Sequence, residues 1–403
     1  MAAAVALPQA GEDAGHRPGF DVIVVGAGIM GSCAAHAAAS RGASVLLLER
    51  FDLLHHRGSS HGESRIIRDA YVKAHYVPMV RLARRLWADD EAESGYRVLT
   101  PAPQLTVGPR DDAALLAAVQ NAGGVEVPVD DLARRWGGAF CVPDGWLAAV
   151  SERGGGMLNA TKAVAMFQAL AVRKGAAIRD NTEVVGIGKA PEGGVVVRTS
   201  TGEEFRGGKC VVTVGAWTSK LVRSVAGEVE LPIQPLHTLT LYWRVKPGHE
   251  RELAAATGLP TFSGYGDPPI SCDGGPLCDP DGRDWASGDR EVTERVARWI
   301  EEVMPGHVEA AGGPLIRQSC MCSMTPDMDF VIDFLGGEFG EDVVVGAGFS
   351  GHGFKMGPVV GRILAEMAID GKASTAAEAG VELCHYRISR FDGNPMGNAK
   401  DDY

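Results

Sequence analysis

Gly26, Gly28 and Gly31 follow one another in the order G-x-G-x-x-G, and Glu49 stands 49 − 26 = 23 residues past the first of them. Glycines in that order allow a tight turn at Gly26. They also let backbone approach a pyrophosphate at Gly28 and let a helix pack closely on a strand at Gly31. The helix N-terminus that follows would offer free N–H groups and a positive dipole end to phosphates. A carboxylate at Glu49 could accept both ribose hydroxyls of a dinucleotide. A tight strand–helix turn alone would use the same glycines, and the motif does not separate FAD from NAD.

Three other stretches carry reactive residue types. Gly58-Ser59-Ser60-His61-Gly62-Glu63-Ser64-Arg65-Ile66-Ile67-Arg68 is dense in polar and small residues and holds two arginines three positions apart. From composition it reads equally well as a solvated loop or as a site. Ser319 to Asp327 contains Cys320 and Cys322, which would face the same side of an extended strand. As a metal motif the pair lacks a second pair of ligands at suitable spacing, so no metal is expected. Gly346-Ala347-Gly348-Phe349-Ser350-Gly351-His352-Gly353-Phe354-Lys355 sets a lysine beside a run of glycines, which is not packing chemistry.

The elements that must position these residues can be read from periodicity. Phe20 to Val25 and Ser44 to Glu49 are short apolar runs suited to buried parallel strands, with a small-residue helix between them that Gly42 stops. Pro78, Met79, Leu82 and Leu86 mark a helix, and another is expected from Thr161 to Lys174. Strand signals crowd at Val184-Val185, Val195 to Val197 and Lys209 to Val214. His237 to Arg244 looks like the start of a different sheet, and Val292 to Val303 forms an amphipathic helix. Near the end, Val343 to Val345 and a helix from Pro358 to Asp370 return to the opening pattern. A nucleotide-binding domain built from both ends of the chain, with a second domain inserted, is therefore expected.

Composition narrows the class. The chain has 403 residues, 39 Lys+Arg against 51 Asp+Glu and a formal charge of −12, so nucleic acid is not an expected partner. No run approaches the roughly 18 apolar residues of a membrane span. The Ala-rich first 19 residues, interrupted by Glu12, Asp13 and His16, read as a disordered tail. Eight cysteines in so long a chain point to a reducing compartment rather than a disulfide scaffold.

The Ser60 to Arg68 run, the Ser319 to Asp327 segment, Gly346 to Lys355, Val214-Gly215-Ala216-Trp217 and Tyr386 to Phe391 together resemble the monomeric sarcosine oxidase and pipecolate oxidase family. These are covalent flavoproteins that oxidise secondary amino acids. The resemblance covers nearly the whole chain from residue 20 onward. It implies a glutathione-reductase-like, FAD-binding Rossmann domain with an inserted mixed-sheet substrate domain, thus α/β and α+β in class. The expected segments are 20–90, 156–228 and 315–391 for the FAD domain, 91–155 and 229–314 for the substrate domain, and a tail from 392.

Carried over by position, the resemblance makes Cys320 the covalent flavin ligand, with Cys322 as the rival thiol. A bond from sulfur to the flavin 8α carbon needs a thiolate with positive charge nearby, and His61 and Arg65 align with the residues that supply it. Gly26, Gly28, Gly31, Glu49, Arg50, Ser60, Val184, Gly215, Trp217, Gly348, Gly351, His352, Gly353 and Lys355 are implied in holding the cofactor. Arg68 and Lys355 align with the residues that hold the substrate carboxylate, a task suited to a guanidinium and an ammonium. The implied reaction takes a neutral secondary amine to an imine and reduced flavin, which oxygen reoxidises with release of hydrogen peroxide. Sarcosine would yield glycine and formaldehyde; pipecolate would yield a cyclic imine. The family is monomeric, and its eukaryotic members are typically peroxisomal. The terminal Asp401-Asp402-Tyr403 is not an address of the Ser-Lys-Leu type, which leaves the cytoplasm as the other expectation.

One stretch departs from the family. After Tyr265-Gly266-Asp267 the family continues through two strands, one bearing an aromatic residue over the flavin and the other a lysine that activates oxygen. Here the resemblance resumes at Cys278-Asp279-Pro280, and no lysine occurs between Lys246 and Lys355. A cation near the flavin would stabilise the charge that develops as oxygen takes an electron. Its loss opens two other readings, a dehydrogenase with a different acceptor and a flavin-binding remnant without turnover.

Overall fold

The apolar run Phe20–Val25 (β1) buries Val22 to Val25 on both faces, as a strand in the middle of a parallel sheet must. The computed structural model describes residues 19–227, 229–266, 275–282 and 290–399. The expected N-terminal tail before Gly19 and residues 267–274 of the shortened stretch lie outside them. Helix Ile29–Ser40 (α1) leads from β1 to Val45–Leu48 (β2), which pairs parallel to it from Val22↔Val45 to Val25↔Leu48.

The chain then builds a second sheet. Its strands are Arg65–Ile66 (β3), Leu99–Pro109 (β4), Val125–Glu126 (β5) and Trp146–Leu158 (β6). Helices Tyr76–Ser94 (α2), Ala113–Ala122 (α3) and Val129–Trp136 (α4) lie between them. Pro78 falls in the first turn of α2, where its missing N–H costs no hydrogen bond. Helix Ala160–Arg173 (α5) leads back to Ala177–Arg179 (β7), which pairs parallel to β2. Val184–Lys189 (β8) and Val195–Thr199 (β9) form an antiparallel arm on Glu204–Val212 (β10), itself parallel to β1.

Helix Thr218–Val225 (α6) is followed by Gln234–Tyr242 (β11), Arg244–Val245 (β12) and Thr261–Gly264 (β13). Helix Arg290–Val303 (α7) precedes Val308–Glu309 (β14) and Ile316–Met324 (β15). Val331–Phe334 (β16), Val343–Ala347 (β17), helix Gly357–Asp370 (α8) and helix Ser374–Ala379 (α9) complete the order. The first sheet runs β16-β17-β10-β1-β2-β7, with β9 and β8 branching from β10. The second runs β13-β4-β6-β3, with β5 beside β6, and β13 lies parallel to β4 in this otherwise antiparallel sheet. β11 and β15 form a separate antiparallel ladder.

These pairings cross the boundaries expected from sequence. Arg65–Ile66, inside segment 20–90, pairs with β6 of the second sheet, and β6 runs unbroken through 155 and 156. The β11–β15 ladder joins a strand expected in one domain to a strand expected in the other. Strand pairing joins residues far apart along the chain, and no local composition change marks it. Residues 392–399, expected as a tail, are docked on the first sheet's side: Asn398 N donates to Asp327 Oδ2 at 2.8 Å and Asn398 Nδ2 to Asp329 Oδ2 at 3.0 Å.

Period two decides the core. Val22, Val24, Leu47, Val211 and Val344 face α1, α5 and α8, while Ile23, Val25, Leu46, Leu48, Val212 and Val345 face α6 and the β8–β9 arm. α1 can lie close to α8 because a side chain on Gly361 would collide with Cys33 and the Ala34 N–H. Where α1 meets α2, burial governs charge. His36 Nδ1 lies 3.8 Å from Asp90 Oδ1, and its Nε2 lies 3.5 Å from Glu93 Oε2. Burial pushes the Asp90 carboxyl up to about 7, with Arg362 opposing it and Glu93 and Asp89 adding to it.

Between the ordinary carboxyl range and about pH 7, the folded chain therefore holds a proton at Asp90 that the unfolded chain has released. Stability from this group is present at low pH and is lost as pH rises through that window. Asp90→Asn should raise the unfolding free energy at pH 8 by roughly 2–4 kcal/mol, with the gain shrinking towards zero near pH 4. Urea melts at both pH values check this; a gain equal at the two would contradict it.

Candidate active site

A cavity of about 1100 Å³ opens where the carboxyl ends of β1, β2 and β10 meet the β11–β15 ladder and the edge of the second sheet. Ligands of open α/β sheets bind at that end of the strands. The glycine turn lies at its floor. Gly26 has φ of 97°, and a Cβ there would stand 2.6 Å from the Thr213 carbonyl. A Cβ on Gly31 would strike the Gly26 carbonyl. Gly28 is the extended N-cap of α1, and a Cβ on it would meet only Ser60 Oγ at 3.0 Å and Ser60 Cβ at 3.8 Å.

Glu49, buried at the end of β2, accepts from Ala27 N at 2.8 Å through Oε2 and from Phe51 N at 3.1 Å through Oε1. His55 Nε2 lies 3.3 Å from Oε1. The carboxylate is thus fixed before any ribose reaches it. Ser60 Oγ accepts from Ile29 N at 3.1 Å and so ties the Gly58–Arg68 loop to the first turn of α1. Arg50, Val184, Gly215 and Trp217 also line the cavity, on the Glu49 side.

Arg65 organises the opposite wall. Its Nη2 donates to Ser59 O at 3.0 Å and to His61 O at 2.8 Å, and its Nη1 donates to Ser64 O at 2.7 Å. The same Nη2 lies 3.5 Å from Cys320 Sγ. His61 is buried, with Gln318 Nε2 3.2 Å from its Nδ1. Cys320 and Cys322 both line the cavity, as two residues i and i+2 on β15 must. The guanidinium distinguishes them: it reaches Cys320, whereas Cys322 Sγ lies 3.5 Å from where a Gly351 Cβ would stand.

The third group gathers on Tyr71, which sequence reasoning missed although it stands three residues past Arg68. Lys355 is buried, and its Nζ donates to Tyr71 Oη at 2.9 Å and to His352 O at 3.1 Å. His352 Nδ1 lies 3.3 Å from Tyr71 Oη and its Nε2 lies 3.1 Å from Met328 O. A carbonyl can only accept, so Nε2 carries the proton and Nδ1 accepts from Tyr71. The hydrogen bonds then run one way, from Lys355 through Tyr71 and His352 to Met328. Burial, with Lys355 second, pushes His352 down to about 3, so this imidazole is neutral at ordinary pH. Burial raises the Tyr71 phenol above its usual range. Arg68 lies over the same ring, its Cζ 5.2 Å from the centroid, and its Nη1 donates to the Ala70 carbonyl.

The glycines before Lys355 shape this wall. Gly348 and Gly351 have φ of 59° and 74°, and Ser350 between them is also left-handed at 42°. Ser350 N donates to Ser323 O at 2.9 Å, and Thr325 N donates to Ser350 Oγ at 3.2 Å, so the turn is pinned to β15. A Cβ on Gly353 would collide with Phe349. Behind the wall, buried Asp329 accepts from Lys73 at 3.0 Å, from Tyr76 Oη at 3.0 Å and from His75. Burial opposes its charge, but the bonds from His75, Lys73 and Asn398 win and hold it below the usual carboxylate range. No motif announced this cluster.

The family model described as FAD dependent oxidoreductase (DAO) matches residues 21–367. A protein of Arabidopsis thaliana named "Probable sarcosine oxidase" is 48% identical over 95% of each chain. The monomeric sarcosine oxidase of Bacillus sp. strain NS-129 is 34% identical over 88% of this chain and 94% of its own. The peroxisomal sarcosine oxidase of Homo sapiens is 32% identical over 92% and 96%. Among solved structures, the L-proline dehydrogenase of P. horikoshii superposes with a TM-score of 0.75 at 21% identity, covering 93% of this chain and 98% of that one. That likeness speaks for the fold alone.

Arg65 ties Ser59, His61 and Ser64 together, and Arg57 just before them is exposed. Arg65→Met should speed tryptic cleavage after Arg57 several-fold while leaving the far-ultraviolet circular dichroism unchanged. An unchanged cleavage rate would mean that the loop is held by other contacts.

Proposed function

The chain belongs to the FAD dependent oxidoreductase (DAO) family, and on that premise we propose that it oxidises a small secondary amino acid, sarcosine or L-pipecolate, to an imine, with oxygen as acceptor and hydrogen peroxide as second product. One observation carries the reading. Two cations, Arg68 and Lys355, converge on Tyr71 in the wall of the cavity whose floor is the glycine turn.

The residues present fit FAD. Side chains at Gly26 and Gly31 would strike the Thr213 and Gly26 carbonyls and push the start of α1 off β1, Gly28 leaves the α1 N-terminus open to a pyrophosphate except for Ser60, and Glu49 is already oriented by backbone N–H groups. The glycine turn and Glu49 would hold FAD there, and the cofactor would supply the acceptor for the electrons removed from the amine carbon. The chain's own side chains do the rest. The ammonium of Lys355 and the guanidinium of Arg68 would take the substrate carboxylate. Their positive potential also favours the free base of the amine over its protonated form, which is the form able to be oxidised. His352, neutral at ordinary pH, holds Tyr71 without adding charge. Cys320, beside Arg65, is the thiol proposed to bond the flavin, and Cys322 is not.

A second reading, turnover with an acceptor other than oxygen, is favoured by the absence of lysine between Lys246 and Lys355 and by β13 standing, among the described residues, at the edge of the second sheet. A monomeric state follows the printed names of the bacterial relatives. A peroxisomal setting rests on the printed name of the human relative and suits a reaction that makes peroxide.

The deciding experiment is a visible spectrum taken without oxygen, before and after sarcosine or L-pipecolate. Bleaching of the flavin band followed by recovery in air supports the oxidase. Bleaching that persists in air until a dye is added supports the second reading, and a band that neither amine bleaches sinks both. Cys320→Ser should release all flavin into the supernatant on acid precipitation, whereas Cys322→Ser should leave it in the pellet. Lys355→Met should raise KM for the amino acid by about tenfold or more, corresponding to at least ~1.4 kcal/mol. An unchanged KM would remove Lys355 from carboxylate binding.

A further inference from the structure

Asp281 belongs to none of the stretches so far assigned to the site, yet its carboxylate lines the cavity. The segment that carries it starts with a single bridge to β11. His237 N donates to Pro276 O at 2.9 Å, Cys278 N donates to Pro235 O at 3.0 Å, and Leu277 bridges to Leu236. The chain then turns, with Asp281 N donating to Asp279 Oδ1 at 2.9 Å, and Asp281 meets three donors. Arg50 Nη1 donates at 2.7 Å, Trp217 Nε1 at 2.7 Å and Lys220 Nζ at 2.6 Å.

The donors come from separate elements: Arg50 from the end of β2, Trp217 and Lys220 from the turn and helix after β10. Two of them are flat. The Arg50 guanidinium stands 5.0 Å from the Phe51 ring centroid and 5.8 Å from that of Trp217, and the Phe51 and Trp217 rings are 5.5 Å apart. Arg50 Nε lies 3.1 Å from Glu183, beside Val184 and one residue after Glu49. This is the ribose and base end of the cavity. Burial alone would raise the Asp281 carboxyl, but bonds from Lys220, Trp217 and Arg50 hold it at about 2. A carboxylate facing a dinucleotide repels its phosphates unless neighbouring cations absorb its charge, and here two cations do so.

We propose that Asp281 is a positioning residue for the adenosine half of FAD, fixing the Trp217 indole and the Arg50 guanidinium together as one wall of the cavity, against which the purine nucleotide end sits. The segment acts as a strap: its base lies on the ladder that carries Cys320 and its tip on the nucleotide wall. The proposal deepens the reading of this cavity as an FAD site and takes no position on the amine.

The test uses the full chain with Cys320→Ser, stripped of flavin so that binding is reversible, and titrated with FAD and with FMN by flavin fluorescence. Adding Asp281→Ala should raise Kd for FAD about five- to tenfold, a modest change because the network is partly exposed. Kd for FMN, which lacks the adenosine half, should stay within about twofold on the same scale, and Asp281→Glu should restore most of the FAD affinity. Equal weakening of FAD and FMN would show a general loosening of the fold and overturn the proposal, as would no change in either. Failure of the Cys320→Ser chain itself to bind either flavin would overturn the cofactor reading and this proposal with it.

Discussion

The close approach of Gly31 to the Gly26 carbonyl is the constraint on which the rest of the site depends. Without a side chain at either position, α1 starts against the end of β1, with Thr213 of the neighbouring segment donating to the Val25 and Gly26 carbonyls at 3.0 and 3.1 Å. That contact sets the height of the α1 N-terminus. It therefore also sets where Ser60 can cap it and where the loop that Arg65 gathers can lie. A methyl group at Gly31 would push the helix off the strand, and the displacement would reach Cys320 through a chain of short, directed hydrogen bonds.

Two kinds of polar organisation meet in the cavity. Around Glu49 and Arg65, backbone groups and side chains orient charges at the surface of a cradle. Around Tyr71 the arrangement is buried and unidirectional, and burial is the leading cause that holds two of its members in single protonation states. His352 stays neutral and Tyr71 stays protonated for the same reason. Low dielectric strengthens such a chain of bonds and penalises any member left unmatched, so one substitution within it should disturb the others.

Much of the site was legible because it is written in short local patterns. The glycine turn, the Ser60–Arg68 run, the cysteine pair and the Gly346–Lys355 turn each announce themselves within about ten residues. Spacing alone could not place Cys320 ahead of Cys322, since period two sends both thiols to one side; the resemblance did so, and the Arg65 contact adds a physical reason. Tyr71 and the Asp329 cluster were missed because a lone tyrosine or aspartate has no pattern; their meaning lies in partners such as Lys355, His352 and Asn398 from distant parts of the chain. The sheet membership of Arg65–Ile66 and the docking of 392–399 were hidden for the same reason. Periodicity found the longer helices α1, α2, α5, α7 and α8 and the strands of the first sheet's centre, but it missed α3, α4 and α9 and the long strands β4 and β6, and it says nothing about which strand sits beside which.

The packing of α1 on α8 has a consequence for synthesis on the ribosome. Cys33 waits for Gly361, and β1 waits for β10, which in turn waits for β17. A chain that emerges from its N-terminus first must therefore hold the apolar faces of α1 and β2 uncovered until almost all of it has been made. Such non-local closure is slow, and the waiting surface is open to aggregation. A nascent chain stalled before α8 would present the nucleotide turn to the cell without the helix that keeps it in place, which makes the last stretch to be translated the one that licenses the first to bind.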